Sequence, residues 1–320
     1  GLLLDAQVAR DLRIEEQTRF GEEVLDASWD AARAVWAIRT TTLELTADVL
    51  VDGSGVLTDP TYPDIAGLDR FQGALFHSGD WNHDHDLTGE RVAIIGTGAS
   101  AIQIVPELQK RVARLTVFQR TPIWCLPKSD YALPERVRKT MRRLPLAHRA
   151  ARALSQAYVE ATFVIPAHWN RQLHVTKLIE RTGRSYIRKQ VHDPVLQEKL
   201  TPQYGLGCKR PSFHNSYLST YNRANVTLET DPIAEIVPEG IRTESGTLHE
   251  IDVLILATGF KVWDPGNFPK FTVTGTDGGD LEAWWRTNRY RTYEGTSMPG
   301  FPNYFLMFGP YGYNGASYFT

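Results

Sequence analysis

Apolar residues fall into three patterns along this chain, and each predicts a different kind of element. An uninterrupted run at 92–95 suits a strand buried on both faces, and the next strand is expected over 115–118. Alternation rich in β-branched residues predicts strands over 36–46 and 47–51, with strand character from Ile14 onward. Spacing of three to four residues predicts a helix over 2–12. It predicts a second around Val137, Met141 and Leu144, whose remaining positions carry Arg136, Arg138, Lys139, Arg142 and Arg143. That second helix reads as amphipathic with a solvated basic face, in preference to a membrane-binding one. Pro127, Pro134, Pro145, Pro166 and Pro194 punctuate a mostly helical stretch, and 304–308 followed by Gly309-Pro310 reads as a late strand and turn. Strands alternating with helices make this an α/β chain.

The run Val92-Ala93-Ile94-Ile95 leads straight into Gly96-Thr97-Gly98-Ala99-Ser100-Ala101. Each small residue has a physical task. Gly96 allows the tight turn, Gly98 lets the backbone approach a pyrophosphate, and Ala101 lets the following helix pack closely on the strand. That helix starts near Ala99 and aims free N–H groups at the phosphates. The turn is therefore a candidate dinucleotide site, the alternative being an ordinary strand–helix turn. Pro106 lies inside the helix and is expected to kink it. After the next strand, an NAD site would place an acidic residue to hold the ribose 2′-hydroxyl. Gln119 and Arg120 stand there instead. A guanidinium suits a 2′-phosphate, so the cofactor is expected to be NADPH, with Thr121 adding a hydroxyl.

A further motif precedes the turn. Phe71-x-Gly73-x-x-x-His77-x-x-x-Trp81 resembles the fingerprint of the Baeyer–Villiger monooxygenases, a family of class B flavoprotein monooxygenases; Asn82 departs from the family's usual Pro or Asp. The likeness continues through Phe118-Gln119-Arg120-Thr121-Pro122, Cys208-Lys209-Arg210-Pro211, Asn222-Arg223-x-Asn225-Val226, Ala257-Thr258-Gly259-Phe260 and Gly300-Phe301-Pro302-Asn303. Asp52-Gly53-Ser54-Gly55 resembles the family's Ala-Thr-Gly or Gly-Thr-Gly element, although Asp52 is unusual there.

The resemblance implies a flavoprotein with two dinucleotide-binding domains, a Rossmann-like NADPH domain inserted in an FAD domain. Its boundaries would be 1–68 for part of the FAD domain, 69–90 for a fingerprint linker, and 91–125 with 206–260 for the NADPH domain. A helical insertion over 126–205 and a return to the FAD domain over 261–320 would complete it. The implied cofactors are FAD and NADPH, and the implied reaction is attack of a C4a-peroxyflavin on a ketone to give an ester or lactone. Arg210 becomes the catalytic cation, since a guanidinium stays protonated and stabilises developing anions. Lys209 becomes a second phosphate contact, and Thr258 and Gly259 join the cofactor-binding set. By charge alone, Lys209 and Arg210 would be solvated cations of a loop. His77 and Trp81 are expected to couple domain movement to cofactor positioning, and neither makes or breaks a bond. Trp124, Trp169 and Phe213 line the substrate pocket or belong to the core.

Composition narrows the alternatives. A net charge of −2 argues against a nucleic-acid partner. Cys125 and Cys208 form no Cys-x-x-Cys pair, which argues against disulfide reduction, and His83 and His85 read as solvated loop residues, so no metal is expected. No signal-peptide pattern opens the chain, and the apolar stretch 157–167 is too short to span a bilayer, so a cytoplasmic protein is expected. No GxGxxG occurs before residue 91. The chain is therefore expected to be a fragment that binds FAD weakly or not at all. An N- or S-oxidising flavin monooxygenase and a non-catalytic NADPH-binding module remain as alternatives.

Overall fold

The computed structural model describes residues 2–128, 130, 132–161, 175–262, 269–307 and 309–310. The chain forms two compact units, one from Gly1–Asp59 with Lys261–Thr320, the other from Pro60–Phe260.

The first unit opens with helix α1 (Leu2–Asp11), followed by a 3-10 turn at Glu15–Gln17. Strand character thus starts later than Ile14, at β1 (Val24–Asp30). The expected strand over 36–46 is two strands, β2 (Val35–Thr40) and β3 (Glu44–Ala47). The threonines between them favour a strand by propensity but make a turn by hydrogen bonding. Thr40 Oγ1 donates to Glu22 Oε2 at 2.6 Å and accepts from the Leu43 amide at 3.0 Å. Strand β4 (Leu50–Asp52) replaces the expected strand at 47–51. In this unit the strand Thr272–Thr274 pairs in parallel with β1, and Tyr304–Leu306 pairs in parallel with β4. The core holds Trp36, Trp285, Phe301 and Tyr304.

Asp52 is buried here and its carboxylate is fully engaged. Oδ1 accepts from the Ser54 amide and hydroxyl, and Oδ2 accepts from Tyr304 Oη at 2.8 Å. Burial, and then the neighbouring carboxylate, push the Tyr304 phenol well above its ordinary range, so it stays a donor. Tyr304→Phe leaves Oδ2 without this donor and is expected to destabilise the unit by about 1–3 kcal/mol, read as a lower urea midpoint. An unchanged midpoint would mean the bond contributes nothing.

The second unit is built on a five-stranded parallel sheet: β5 (Ala74–His77), β6 (Arg91–Ile95), β7 (Arg114–Phe118), β10 (Val226–Glu229) and β14 (Val253–Leu256), in the order β10-β7-β6-β14-β5. The short pair β8 (Cys125–Leu126) and β9 (Ser212–Phe213) lies outside it, as does an antiparallel meander of β11 (Ile233–Val237), β12 (Gly240–Thr243) and β13 (Leu248–Glu250). The uninterrupted apolar run at 92–95 is explained by the two faces. Val92, Ile94, Leu115 and Val117 pack with Ala101, Ile102 and Val105 of helix α2 (Ala99–Leu108). Ala93, Leu254 and Leu256 pack with Ile236 and Ile241 of the meander. The segment expected as a linker supplies β5, whose residues pair with β14 in register Leu75↔Leu254 and Phe76↔Ile255. It is part of the sheet because its apolar residues are needed to cover both faces at that edge. Pro106 does not interrupt α2, which continues to Leu108, although the proline has no N–H to offer the Ile102 carbonyl.

The helical stretch contains α3 (Glu135–Arg143), α4 (Pro145–Val159) and further helices at Val175–Gln190 and Pro194–Leu200.

Candidate cofactor and substrate site

Parallel pairing places the C-terminal ends of β5, β14, β6 and β7 along one edge of the sheet. In an open sheet of this kind, ligands bind outside the carboxyl ends of the strands, where the strand order reverses. Here the reversal falls between β6 and β14.

The turn after β6 is shaped by its two glycines for different reasons. Gly96 has φ +118°, and a Cβ there would lie 2.4 Å from the Ala257 carbonyl oxygen. Backbone conformation and space both demand glycine at that position. At Gly98 a Cβ would meet nothing within 4 Å. Gly98 also caps α2 without any side-chain hydrogen bond, so the first N–H groups of the helix are open to an anion. Ala101 is fully buried against the sheet. Ala99 and Ser100 form the first turn of α2 beside Gly98.

Thr97 is buried, and its Oγ1 donates to the Thr121 carbonyl at 2.8 Å. Its hydroxyl thus ties the glycine turn to the segment after β7, leaving the backbone as its contribution to a ligand. Arg120 is exposed at the end of β7 and has no ion-pair partner among the described residues. Gln119 is buried beside it and donates to the Lys199 carbonyl at 2.8 Å.

Two more hydrogen bonds connect this edge to the loop carrying Lys209 and Arg210. Tyr204 Oη donates to the Pro122 carbonyl at 2.9 Å, and Trp124 Nε1 donates to the Tyr204 carbonyl at 3.0 Å. Ser212, two residues beyond Arg210, pairs with Cys125. Lys209 Nζ lies 5.4 Å from the centre of the Tyr204 ring. Lys209 and Arg210 are both exposed. The sequence singles out this loop by its Lys-Arg pair, but its anchor is Tyr204, whose role no local pattern reveals. Trp124 is fully buried and belongs to the core, Phe213 is exposed, and Trp169 lies outside the described residues.

Thr258 and Gly259 follow β14. Thr258 Oγ1 donates to the Thr61 carbonyl at 2.5 Å, while the Thr61 amide donates to the Gly259 carbonyl at 2.8 Å. Gly259 has φ +89° and would have no neighbour within 4 Å of a Cβ, so its backbone is the accessible part of this pair.

The fingerprint residues divide by task. The Phe71 ring lies over Gly73, where a Cβ would meet it at 2.5 Å and the Asp252 carbonyl at 2.2 Å. Trp81 packs edge-on against Phe76 at 5.0 Å. Both are packing roles. His77, at the end of β5, is fully buried. Its Nδ1 accepts from the Gly79 amide at 3.0 Å, which leaves the proton on Nε2. Nε2 makes no well-formed hydrogen bond, although the Gly259 backbone is close enough to favour its protonation. Burial outweighs this and holds the imidazole below its ordinary range, so His77 is neutral at pH 7. Phe260 stands edge-on to the ring at 5.3 Å, and a Cβ at Gly79 would lie 2.6 Å from Phe260. Gly79 is thus a position that the motif does not mark and that packing requires. His77→Ala empties a fully buried position and is expected to lower the midpoint of chemical unfolding; an unchanged midpoint would mean that packing around the ring contributes nothing.

Cys125 is buried and its thiol is pushed up to about 12 by desolvation, so it does not serve as a nucleophile. No group of three metal-ligating side chains occurs among the described residues.

The parallel sheet with its glycine turn defines a dinucleotide-binding α/β protein. The family model described as flavin-binding monooxygenase-like matches residues 44–269, and the chain belongs to that family. It is 40% identical to a Baeyer–Villiger monooxygenase of Pseudomonas aeruginosa over 299 residues, which is 93% of this chain and 56% of the relative. Among solved structures it resembles an oxidized steroid monooxygenase bound to NADP, with a TM-score of 0.81 and 30% identity over 95% of this chain and 64% of the other. It likewise resembles OTEMO in complex with FAD and NADP, with a TM-score of 0.79 and 30% identity over 98% of this chain and 66% of the other. The chain therefore spans a little over half the length of that curated relative.

Proposed function

We propose that this protein is an NADPH- and FAD-dependent Baeyer–Villiger monooxygenase. One oxygen atom of O2 enters beside a ketone carbonyl to give an ester or lactone; the other leaves as water, and NADPH with a proton becomes NADP+. The observation that carries this reading is the hydrogen-bonded succession Thr97–Thr121 and Tyr204–Pro122, which holds the glycine turn, Arg120 and the Lys209–Arg210 loop at one sheet edge.

The chain's residues fit NADPH. Gly98 leaves room for a pyrophosphate, the start of α2 offers uncapped N–H groups, and Arg120 offers a charge to the 2′-phosphate. When bound, this cofactor supplies a hydride. Lys209 adds a second positive charge for the phosphate. The Arg210 guanidinium stabilises the negative charge that develops on the ketone oxygen. For FAD the fit differs. Among the described residues no second strand–glycine turn–helix exists for its pyrophosphate.

Arg120→Ala is expected to lower NADPH affinity by about ten- to a hundredfold, the loss of a charge-assisted hydrogen bond, while NADH binding is unchanged. Equal losses for both cofactors would reject the 2′-phosphate contact.

Oxidation of nitrogen or sulfur is the second reading. Trp81 and the Lys209–Arg210 pair favour ketones. Incubation with NADPH, O2, a cyclic ketone and a thioether separates the two: lactone supports the proposal, and sulfoxide without lactone overturns it. Binding of NADPH without any oxygen uptake would leave the chain a non-catalytic module. Among the described residues no helix is long and apolar enough to cross a membrane.

A further inference from the structure

Helices α3 and α4 carry none of the residues placed in the site above, and their surface combines two features. The first is an apolar ridge. Leu146, Ala150 and Leu154 recur every four residues along α4, which places them on one side of the helix. That side is open: Leu146 is 77% exposed and Leu154 is 72% exposed. Leu144, at the joint between the helices, is also exposed. The half-buried residues Ala147 and Ala151 adjoin the ridge along one of its sides, and α3 packs on α4.

The second feature is charge. Residues 135–160 carry seven Lys and Arg against two carboxylates, Glu135 and Glu160. Arg136, Arg138, Lys139, Arg142 and Arg143 occupy the positions of α3 away from Val137 and Met141, and Arg149 and Arg152 occupy α4 away from the ridge. Of these seven, only Arg138 has an ion-pair partner among the described residues, Glu135 at 2.5 Å. The whole chain has 35 Lys and Arg and 37 Asp and Glu, so the remainder is net acidic and the basic charge is concentrated here.

From this geometry we infer that α3–α4 is a docking element for an anionic phospholipid bilayer. An apolar stripe bordered by cations matches the two layers of a membrane interface. The leucines enter the acyl boundary while the guanidiniums meet the headgroup phosphates. A second copy of this chain fits less well, because two such faces would oppose like charges across the contact. This inference does not depend on the proposed reaction. It departs from the solvated-face reading of the sequence because that reading concerned α3 alone; the exposed ridge belongs to α4.

Flotation with vesicles tests it, using the purified protein and phosphatidylcholine vesicles with or without about a third phosphatidylglycerol. The protein is expected to float with the anionic vesicles at least about tenfold better than with neutral ones, and to be released by high salt. Two exposed double variants, Arg142→Glu with Arg143→Glu and Leu146→Ser with Leu154→Ser, should each lower this binding by about tenfold or more without changing the thermal midpoint. No flotation with anionic vesicles overturns the inference, as do variants that bind as well as the parent. Self-association that the Leu146→Ser, Leu154→Ser variant abolishes, with no vesicle binding, would assign the ridge to a second copy. Because binding needs neither NADPH nor ketone, a failure here is separate from a failure of the proposed activity.

Discussion

Arg210→Ala is expected to lower ketone turnover by about a hundred- to a thousandfold, the loss seen when one donor to a developing oxyanion is removed. The midpoint of unfolding should hardly move, because the side chain is exposed and is not part of a core cluster. Arg210→Lys separates charge from geometry. Lysine retains the charge but not the planar fork of donors, so partial recovery of turnover would show that charge supplies part of the effect. Steady-state rates of ester formation at saturating NADPH, with NADPH affinity measured separately, are the readouts. An Arg210→Ala protein that retains parental turnover would remove Arg210 from the chemistry and return the loop to an ordinary surface segment.

The second large effect is expected at the glycine turn, where two similar substitutions should fail differently. Gly96→Ala places a methyl group 2.4 Å from the Ala257 carbonyl oxygen on a backbone with φ +118°. Strain of this kind costs about 1–3 kcal/mol, and a clash that backbone must absorb adds a similar amount. The variant should unfold at markedly lower denaturant and lose cofactor affinity as a consequence. Gly98→Val puts its side chain into open space at φ −73°, a conformation any residue adopts. Its stability should match the parent, while NADPH binding falls because the side chain occupies the approach to the helix N-terminus. Chemical unfolding and cofactor titration, measured on both variants, separate these outcomes. Equal loss of stability at both positions would contradict the open space at Gly98. Undiminished NADPH binding by Gly98→Val would place the pyrophosphate elsewhere.

Much of the fold is legible without coordinates because its signals are local. The run at 92–95 announces a strand buried on both faces, and the turn that follows needs small residues for reasons internal to the turn. Arg120 is placed by its distance from that turn. The elements misread from sequence are those where a nearby interaction outweighs propensity. Thr40, Thr41 and Thr42 are β-branched, yet their hydroxyls hold a turn with Glu22. Ala74–His77 lacks the length of an obvious strand, but β14 offers it an open edge and two faces to cover. Gly79 and Tyr204 belong to no spacing rule, since what makes them necessary is Phe260 in one case and Pro122 in the other.

By itself, the order of residues determined the strand, glycine turn and helix that follow 92–95 and led to the expectation of a 2′-phosphate at Arg120; the Lys209–Arg210 pair stood out only through the family resemblance. Tertiary structure alone decided that His77 is buried and neutral at the sheet edge, that Thr97 and Thr258 use their hydroxyls on the chain itself, and that the 204–211 loop is tied beside Arg120. The physical reason is range. Backbone conformation and helix-terminal charge act over a few residues, whereas desolvation and hydrogen-bond satisfaction depend on neighbours that folding brings from far along the chain.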